Sequence, residues 1–268
     1  MIPQATKDAI EHVVDILVRS HSLLFITGAG ISADSGLPTY RGIGGLYNSE
    51  HPEEGFPIEE ILSGEMLHRR PELTWKYLGK IEQATRGAKC NRAHQVIAEM
   101  ESCFERVWTL TQNIDGLHRQ AGAKNVLEIH GSLHNLICTK CQWQQTVVDY
   151  SGLTLPPKCP RCQAILRPKV VLFGEMLPEE ILEQLSEQLD IGFDAIFSIG
   201  TTSVFPYISG PIELAHRCGW PTIEINPSTT RVSHLVSIKL SMRAAEAMDA
   251  IGTQYRTKTG KLGPVKQL

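Results

Sequence analysis

Two groups of residues carry chemistry in their spacing alone. Cys138-x-x-Cys141 and Cys159-x-x-Cys162 are separated by 17 residues. Two thiolates three positions apart in a tight knuckle reach one ion, and two knuckles complete a tetrahedron, so the quartet predicts a zinc site. Four thiolates leave the ion no open position, so such a zinc holds structure and performs no chemistry. The second group is Gly28-Ala29-Gly30-Ile31-Ser32-Ala33-Asp34-Ser35-Gly36, directly after the apolar run Leu23-Leu24-Phe25-Ile26. A buried strand that ends in glycines leaves bare backbone N–H groups where a phosphate can sit, which suits a dinucleotide. Yet Gly28 and Gly30 begin a G-x-G-x-x-G fingerprint whose third glycine is replaced by Ala33. Leu37-Pro38-Thr39-Tyr40-Arg41 then interrupts the stretch where the fingerprint continues as helix. This pattern predicts a dinucleotide site whose reaction is not hydride transfer.

Further polar groups follow other apolar runs. His130-Gly131 comes after Val126–Ile129, and Thr111-Gln112-Asn113-Ile114-Asp115-Gly116-Leu117-His118 after Arg106–Thr111. An imidazole titrates near neutral pH, so His130 is placed to act as a general base. Taken singly it reads more readily as a structural histidine, one of ten in the chain. Asn113 and Asp115 fit a helix N-cap as well as a ligand contact. Arg41 fits a phosphate clamp or a surface charge.

These residues need a scaffold, and the hydrophobic pattern supplies one. Apolar β-like runs occur at Leu23–Thr27, Arg106–Thr111, Val126–Ile129, Ala195–Gly200 and Thr222–Asn226. Helical patterns lie at about 7–19, at Trp75–Ile81, Arg92–Glu101, Glu179–Gln188 and Ile212–Arg217. Strands apolar throughout and alternating with helices predict an α/β fold with a Rossmann-like parallel sheet covered on both faces. In such sheets ligands bind beyond the carboxyl ends of the strands. The Gly28 loop, Gln112–Asp115, His130, Gly200-Thr201-Thr202 and Asn226 are therefore expected on one rim. Two stretches break the alternation, 43–90 with its glycines and helical run, and 136–170 with the cysteines. They predict a small inserted domain, a helical module plus the zinc ribbon. Residues 1–42, 91–135 and 171–268 form the sheet domain.

The 268 residues carry a net charge of −3, which gives no electrostatic footprint for direct nucleic-acid binding. No apolar run approaches the ~20 residues that span a bilayer, so no membrane role is expected. The N-terminus lacks the features of a secretory signal, and a cytoplasmic location is expected. Reducing surroundings favour reading the seven cysteines as thiols or ligands, with Cys90, Cys103 and Cys218 as small buried apolar residues.

Taken in order, the Gly28–Ala33 loop with Pro38–Arg41, Thr111–His118, His130-Gly131, the cysteine quartet, Phe173-Gly174-Glu175 and Gly200-Thr201-Thr202 resemble the sirtuins. The resemblance runs from about residue 20 to 250. It implies an NAD-dependent protein-lysine deacetylase or deacylase, in which NAD is a consumed co-substrate and zinc is structural. It further implies that Gly28, Ala29, Gly30, Asp34, Tyr40 and Arg41 contact NAD, with Gln112, Asn113, Ile114 and Asp115 on the nicotinamide side. Asp115 would hold the carboxamide, and Gly200, Thr201, Thr202, Asn226 and Ala244 the adenosine half. His130, with Asn113, would be catalytic. Val171, Phe173, Gly174 and Glu175 would lie along an acyl-lysine peptide or protein substrate as an added strand, faced by Val204. Tyr40, Ile114, Val171 and Phe173 would wall the acyl tunnel. The implied reaction has the acyl oxygen attack C1′ of the nicotinamide ribose. His130 then takes a proton from a ribose hydroxyl, and nicotinamide, free lysine and O-acyl-ADP-ribose result.

The chain departs from the family at Tyr40, more often Phe, at Thr202, more often Ser, and at Met242, usually Gly. Sirtuins that prefer acidic acyl groups carry a Tyr-x-x-Arg pair. Counted from Pro71, the two positions are Leu78 and Ile81, which predicts neutral acyls, acetyl first and longer chains admissible. Counted one position earlier, Tyr77 and Lys80 stand there instead. Two other functions use the same residues: a protein ADP-ribosyltransferase on this scaffold, and a zinc-ribbon regulator that senses NAD without turnover.

Overall fold

The computed structural model describes residues 3–39 and 55–261. Tyr40, Arg41 and the 43–54 part of the expected small domain lie outside the described residues. Helix α1 (Gln4–Arg19) buries Ile10, Val13, Val14 and Leu17, the i, i+3, i+4, i+7 stripe of its sequence. Strand β1 (Ser22–Thr27) follows, buried from Leu23 onward. The glycine loop then folds as a single helical turn, α2 (Ala29–Ser32), continued by a 3₁₀ turn at Ala33–Ser35. Gly36 ends it with φ of +82°. The fingerprint helix is thus cut to two short turns, as the Pro38 segment predicts.

After α3 (Ile58–Ile61), α4 (Gly64–Arg69) and α5 (Pro71–Thr85) comes α6 (Arg92–Met100). Asn91 accepts the amide of Ala93, and His94 Nδ1 accepts the amide of Asn91, which closes a capping box. Strand β2 (Arg106–Thr111), α7 (Leu117–Gln120) and β3 (Val126–Glu128) lead to a second sheet, β4 (Gly131–Cys138), β5 (Gln144–Thr146) and β6 (Leu166–Val170). The chain returns through α8 (Glu179–Ile191), β7 (Ala195–Ile199), α9 (Pro206–Cys218), β8 (Thr222–Ile225), β9 (Ile238–Leu240) and α10 (Ala244–Thr259).

The main sheet has six parallel strands in the order β3-β2-β1-β7-β8-β9. All five strands read from the sequence are in it, together with β9, which was not. Residues of α1, α6 and α10 pack on one face, and residues of α8 and α9 on the other. The strand order reverses between β1 and β7, the switch point where open α/β sheets bind ligands. The smaller sheet is antiparallel, β5-β4-β6, and shares a third core with α3–α5 through Ile58, Leu62, Trp75, Leu78, Leu133, Tyr150 and Leu172. Among the described residues no helix is long and apolar enough to cross a membrane. Cys90 is buried as expected, but Cys103 is half-buried and Cys218 exposed, because Cys218 is the last residue of α9.

Two glycine contacts fix where the sheets meet their loops. A Cβ on Gly30 would stand 2.6 Å from Gly200 Cα, and one on Gly200 would stand 2.4 Å from the Ile31 amide. The loop after β1 therefore lies backbone on backbone against the loop after β7. Gly131 has φ of +78°, and its added Cβ would fall 1.9 Å from the Lys169 carbonyl oxygen. It joins the edge of the large sheet to the small one, so His130 sits at that joint.

Under the rim, His94 and His118 are fully buried with ring centroids 4.9 Å apart. His118 Nε2 meets Thr27 Oγ1 at 2.9 Å, while His94 Nε2 and His118 Nδ1 have no hydrogen-bond partner among the described residues. Burial pushes the His94 pKa down to about 4 and that of His118 well below its usual value. Both are neutral when folded, and both take up protons on unfolding below pH 6.5. Folding stability is therefore complete above 6.5 and falls as pH drops, by about 1.4 kcal/mol per pH unit for each histidine. Burial raises the pKa of Asp115 and Glu128, which acts with the opposite sign at lower pH. The expected result is that His94→Gln, which keeps the capping box, unfolds in urea with a shallower loss of stability between pH 6.5 and 5 than the parent. Equal slopes would contradict it.

Candidate active site

One cavity of about 650 Å³ opens at the carboxyl ends of the central strands. It is lined by Gly28, Ala29 and Gly30 after β1, Gln112, Asn113 and Ile114 after β2, and His130 after β3. Gly200, Thr201 and Thr202 after β7, Asn226 after β8, and Ala244 at the start of α10 complete that side. Val171, Phe173, Gly174 and Glu175 line it from the small sheet, with Leu62, Leu78 and Ile81. The segments expected on one rim are all there.

The rim is cross-linked. Gln112 Nε2 donates to Thr201 Oγ1 at 2.8 Å, and Asn226 Nδ2 donates to the Thr201 carbonyl at 3.0 Å, which ties the ends of β2, β7 and β8. Asn113, 4% exposed, donates from Nδ2 to the Gly28 carbonyl and to Ser32 Oγ, both at 3.1 Å. Ser32 in turn donates to Asp115 Oδ2 at 2.7 Å. Asp115 Oδ1 accepts the Leu117 amide at 2.9 Å, so the carboxylate does serve the turn into α7. It also faces a narrow recess shared with Ala29, Ser32, Asn113 and Ile114. The cap and ligand readings of Asp115 are compatible. Burial raises its pKa, against the lowering effect of the Leu117 and Ser32 donors.

His130 is oriented at both nitrogens. Nδ1 lies 3.0 Å from the Gln112 carbonyl oxygen and Nε2 2.8 Å from Tyr207 Oη. A carbonyl only accepts, so Nδ1 carries the proton and Nε2 holds the lone pair. Burial lowers the His130 pKa and the Gln112 carbonyl partly restores it, leaving a neutral imidazole at neutral pH. The His130 carbonyl accepts the Val171 amide at 2.9 Å, which fixes His130 to the start of the loop from Val171 to Glu175.

That loop is itself fastened. Phe173 donates its amide to the Leu62 carbonyl at 2.9 Å, and Gly64 donates to the Phe173 carbonyl at 3.2 Å. Arg167 grips the Glu175 carboxylate at 2.5 and 2.8 Å, and the Leu172 amide donates to it at 2.9 Å. Glu175 thus staples the loop to β6, so its carboxylate works inside the protein. Phe173 is 36% exposed and Met176 90%, which leaves an apolar lip.

Other expected residues stand apart from the cavity wall. Asp34 pairs with Arg243 at 2.6 Å and accepts the Ala245 amide at 3.0 Å, so it caps α10 beside Ala244. Val204 does not line the cavity; Phe205 does. Leu78 and Ile81 line it at 1% and 5% exposure, whereas Tyr77 and Lys80 do not, and the Lys80 ammonium stands 4.8 Å from the Tyr77 ring centroid. The pair counted from Pro71 is thus the one that faces the cavity.

The cysteine quartet forms as expected. The four sulfurs lie within 4.8 Å of one another, with Cys138–Cys162 at 3.4 Å and Cys141–Cys159 at 3.7 Å. Tetrahedral zinc with ordinary Zn–S bonds requires sulfurs about 3.8 Å apart. The amides of Lys140 and Cys141 both donate to Cys138 Sγ at 3.3 Å, as a thiolate in a knuckle requires.

A sequence model of the Sir2 family matches residues 28–206. The chain belongs to the Sir2 family. It is 47% identical over 245 residues to NAD-dependent protein deacylase 2 of Pseudomonas aeruginosa, covering 90% of this chain and 95% of that one. The deacylase 2 of Pseudomonas syringae pv. tomato is 51% identical over 235 residues, covering 87% and 94%. Among solved structures, a Sir2 homologue in complex with NAD superposes with a TM-score of 0.82 at 35% identity, covering 92% of this chain and 94% of that one. A Sir2 mutant with a deacetylated peptide and 3′-O-acetyl ADP ribose superposes at 0.81 and 26% identity, covering 95% and 99%.

Against this Sir2 frame, sequence reasoning missed four contributors. Ser32 bridges Asn113 and Asp115, and Arg243 lines the cavity while pairing with Asp34. Glu224, fully buried, holds Lys239 at 2.6 Å and the Thr230 and Ser233 hydroxyls, and so secures the loop whose residues Pro227–Thr230 line the cavity. Tyr207 meets His130 Nε2. Its signal was Pro206, a first-turn residue of a helix that starts just past the Gly200 rim.

Proposed function

We propose that this Sir2 chain removes acyl groups from protein lysines, consuming NAD and releasing nicotinamide and O-acyl-ADP-ribose. The observation that carries it is one cavity that joins the glycine rim to an apolar end, with the Nε2 lone pair of His130 on its wall. Gly28, Ala29, Gly30, Thr201, Thr202, Asn226 and Ala244 hold the dinucleotide, and Asn113 and Asp115 orient the nicotinamide end. Val171 and Gly174 take the peptide as an added strand, since an extended backbone supplies the hydrogen bonds whatever its side chains, and Phe173, whose amide and carbonyl already pair with Leu62 and Gly64, lines it with its ring. His130 removes the proton from the ribose hydroxyl. Zinc on Cys138, Cys141, Cys159 and Cys162 supplies structure only. The division into a sheet domain and a small domain of helical module and zinc ribbon agrees with the separate core that α3–α5 share with the small sheet.

Leu78 and Ile81 offer an acidic acyl group no hydrogen bond and no charge, and an unpaired carboxylate there costs several kcal/mol, on the order of a hundredfold or more in rate. With NAD and matched peptides, acetyl-lysine is expected to react at least that much faster than succinyl-lysine. Equal rates would overturn the assignment of the acyl end. In the same assay, a peptide that keeps its acyl group and gains ADP-ribose would favour the transferase alternative.

A further inference from the structure

We propose that Tyr207 relays the proton from the attacking ribose hydroxyl to His130, so that the base of this enzyme is a phenol–imidazole pair. The inference rests on the deacylase reading and goes beyond it. Because His130 Nδ1 donates to the Gln112 carbonyl, Nε2 is the accepting nitrogen, and Tyr207 Oη at 2.8 Å donates to it. An imidazole nitrogen has one in-plane lone pair. While the phenol holds it, no substrate hydroxyl can bond Nε2 directly. The phenol must therefore either leave or take part.

The packing favours taking part. The Tyr207 ring stacks on Phe205 with centroids 5.4 Å apart and planes 10° from parallel. His130 meets both rings edge-on, at 82° to Tyr207 and 89° to Phe205. Tyr207 also sits in the first turn of α9, directly after Pro206, whose ring fixes its own backbone. All three aromatic groups line the cavity, and burial raises the phenol pKa, which keeps its proton in place for donation. The phenol oxygen retains lone pairs for a second hydrogen bond from a hydroxyl in the cavity.

The step balances without any other reactant. The ribose O–H bond breaks as its oxygen bonds to the acyl-derived carbon, and the π pair of that carbon's C=N⁺ bond moves onto the lysine nitrogen. That proton goes to the phenol oxygen, whose own proton passes to Nε2. Tyr207 ends as it began, and His130 ends as imidazolium.

Tyr207→Phe keeps the ring stack and removes the relay. Exchange of labelled nicotinamide into NAD reports the first step, which needs no base, and formation of O-acyl-ADP-ribose reports the second. The expected result is exchange within about twofold of the parent and product formation lower by on the order of ten- to a hundredfold. Product formation that is unchanged, or faster because a plug has gone, would overturn the relay. The parent enzyme gives an independent reading: in mixtures of H₂O and D₂O, two protons in flight bow the dependence of the second step on deuterium fraction. A straight line would overturn the proposal even if the variant failed to fold. If the parent shows neither exchange nor product, the deacylase reading itself falls and the relay with it.

Discussion

His130→Ala is expected to lower the rate of O-acyl-ADP-ribose formation by on the order of 10²- to 10⁴-fold, the usual contribution of a positioned general base. Binding of NAD is expected to survive. The reason lies in how the residue is held. Its carbonyl accepts the Val171 amide and its neighbour Gly131 pairs with Val170, so the joint between the two sheets is made by backbone and persists without the ring. In the proposed function the dinucleotide is held by other residues, in the loops after β1, β7 and β8. What disappears is a neutral imidazole whose Nε2 lone pair accepts from Tyr207 Oη on the cavity wall. The check is single-turnover kinetics beside NAD titration. Loss of binding would show that His130 is structural, and unimpaired turnover would show that the base lies elsewhere.

The second large effect concerns the thiolates. Chelation of zinc, or Cys159→Ala, is expected to melt the small sheet and abolish peptide turnover. Structural zinc contributes roughly 10–16 kcal/mol of apparent binding free energy, comparable to or larger than the ~5–15 kcal/mol stability of a whole domain. Cys159 is completely buried and packs with Cys138 and Leu166. Leu166 begins β6, the strand that carries Arg167 and through it the Glu175 staple of the peptide loop. Trp75 Nε1 also donates to the Leu166 carbonyl at 2.9 Å, which links the ribbon to α5 and thus to Leu78 and Ile81. The loss should therefore reach the acyl end of the cavity, and hydrogen exchange across 131–175 should accelerate while α1, α6 and α10 stay protected. A chelated protein with unchanged exchange in 131–175 and full activity would contradict the structural role.

The main sheet was legible because its central strands are buried on both faces and read as unbroken apolar runs. Strand β9 escaped because only Ile238 and Leu240 of its three residues are apolar, too short for a periodic signal. Helix α9 was read only from Ile212, since Gly210 and Pro211 imitate a break that tertiary packing of Ile208 and Ile212 overrides. Helix α10 was missed because Gly252 and its many polar residues dilute its pattern. Gly252 is there to admit Val96, whose methyls would lie 3.1 and 3.2 Å from an added Cβ. Within the site, chain order identified the residues at strand ends, where the scaffold dictates position. It did not reveal Ser32 or Tyr207, whose roles depend on contacts between segments 81 and 77 residues apart in sequence. Asp34 shows a contact of the same kind: its carboxylate, expected at the ligand, also caps a helix more than 200 positions away.

The most direct test is a mass balance. With NAD and an acetyl-lysine peptide, mass spectrometry is predicted to find deacetylated peptide, nicotinamide and O-acetyl-ADP-ribose in equal amounts. Free acetate with NAD left intact, or NAD bound without any turnover, would contradict the account.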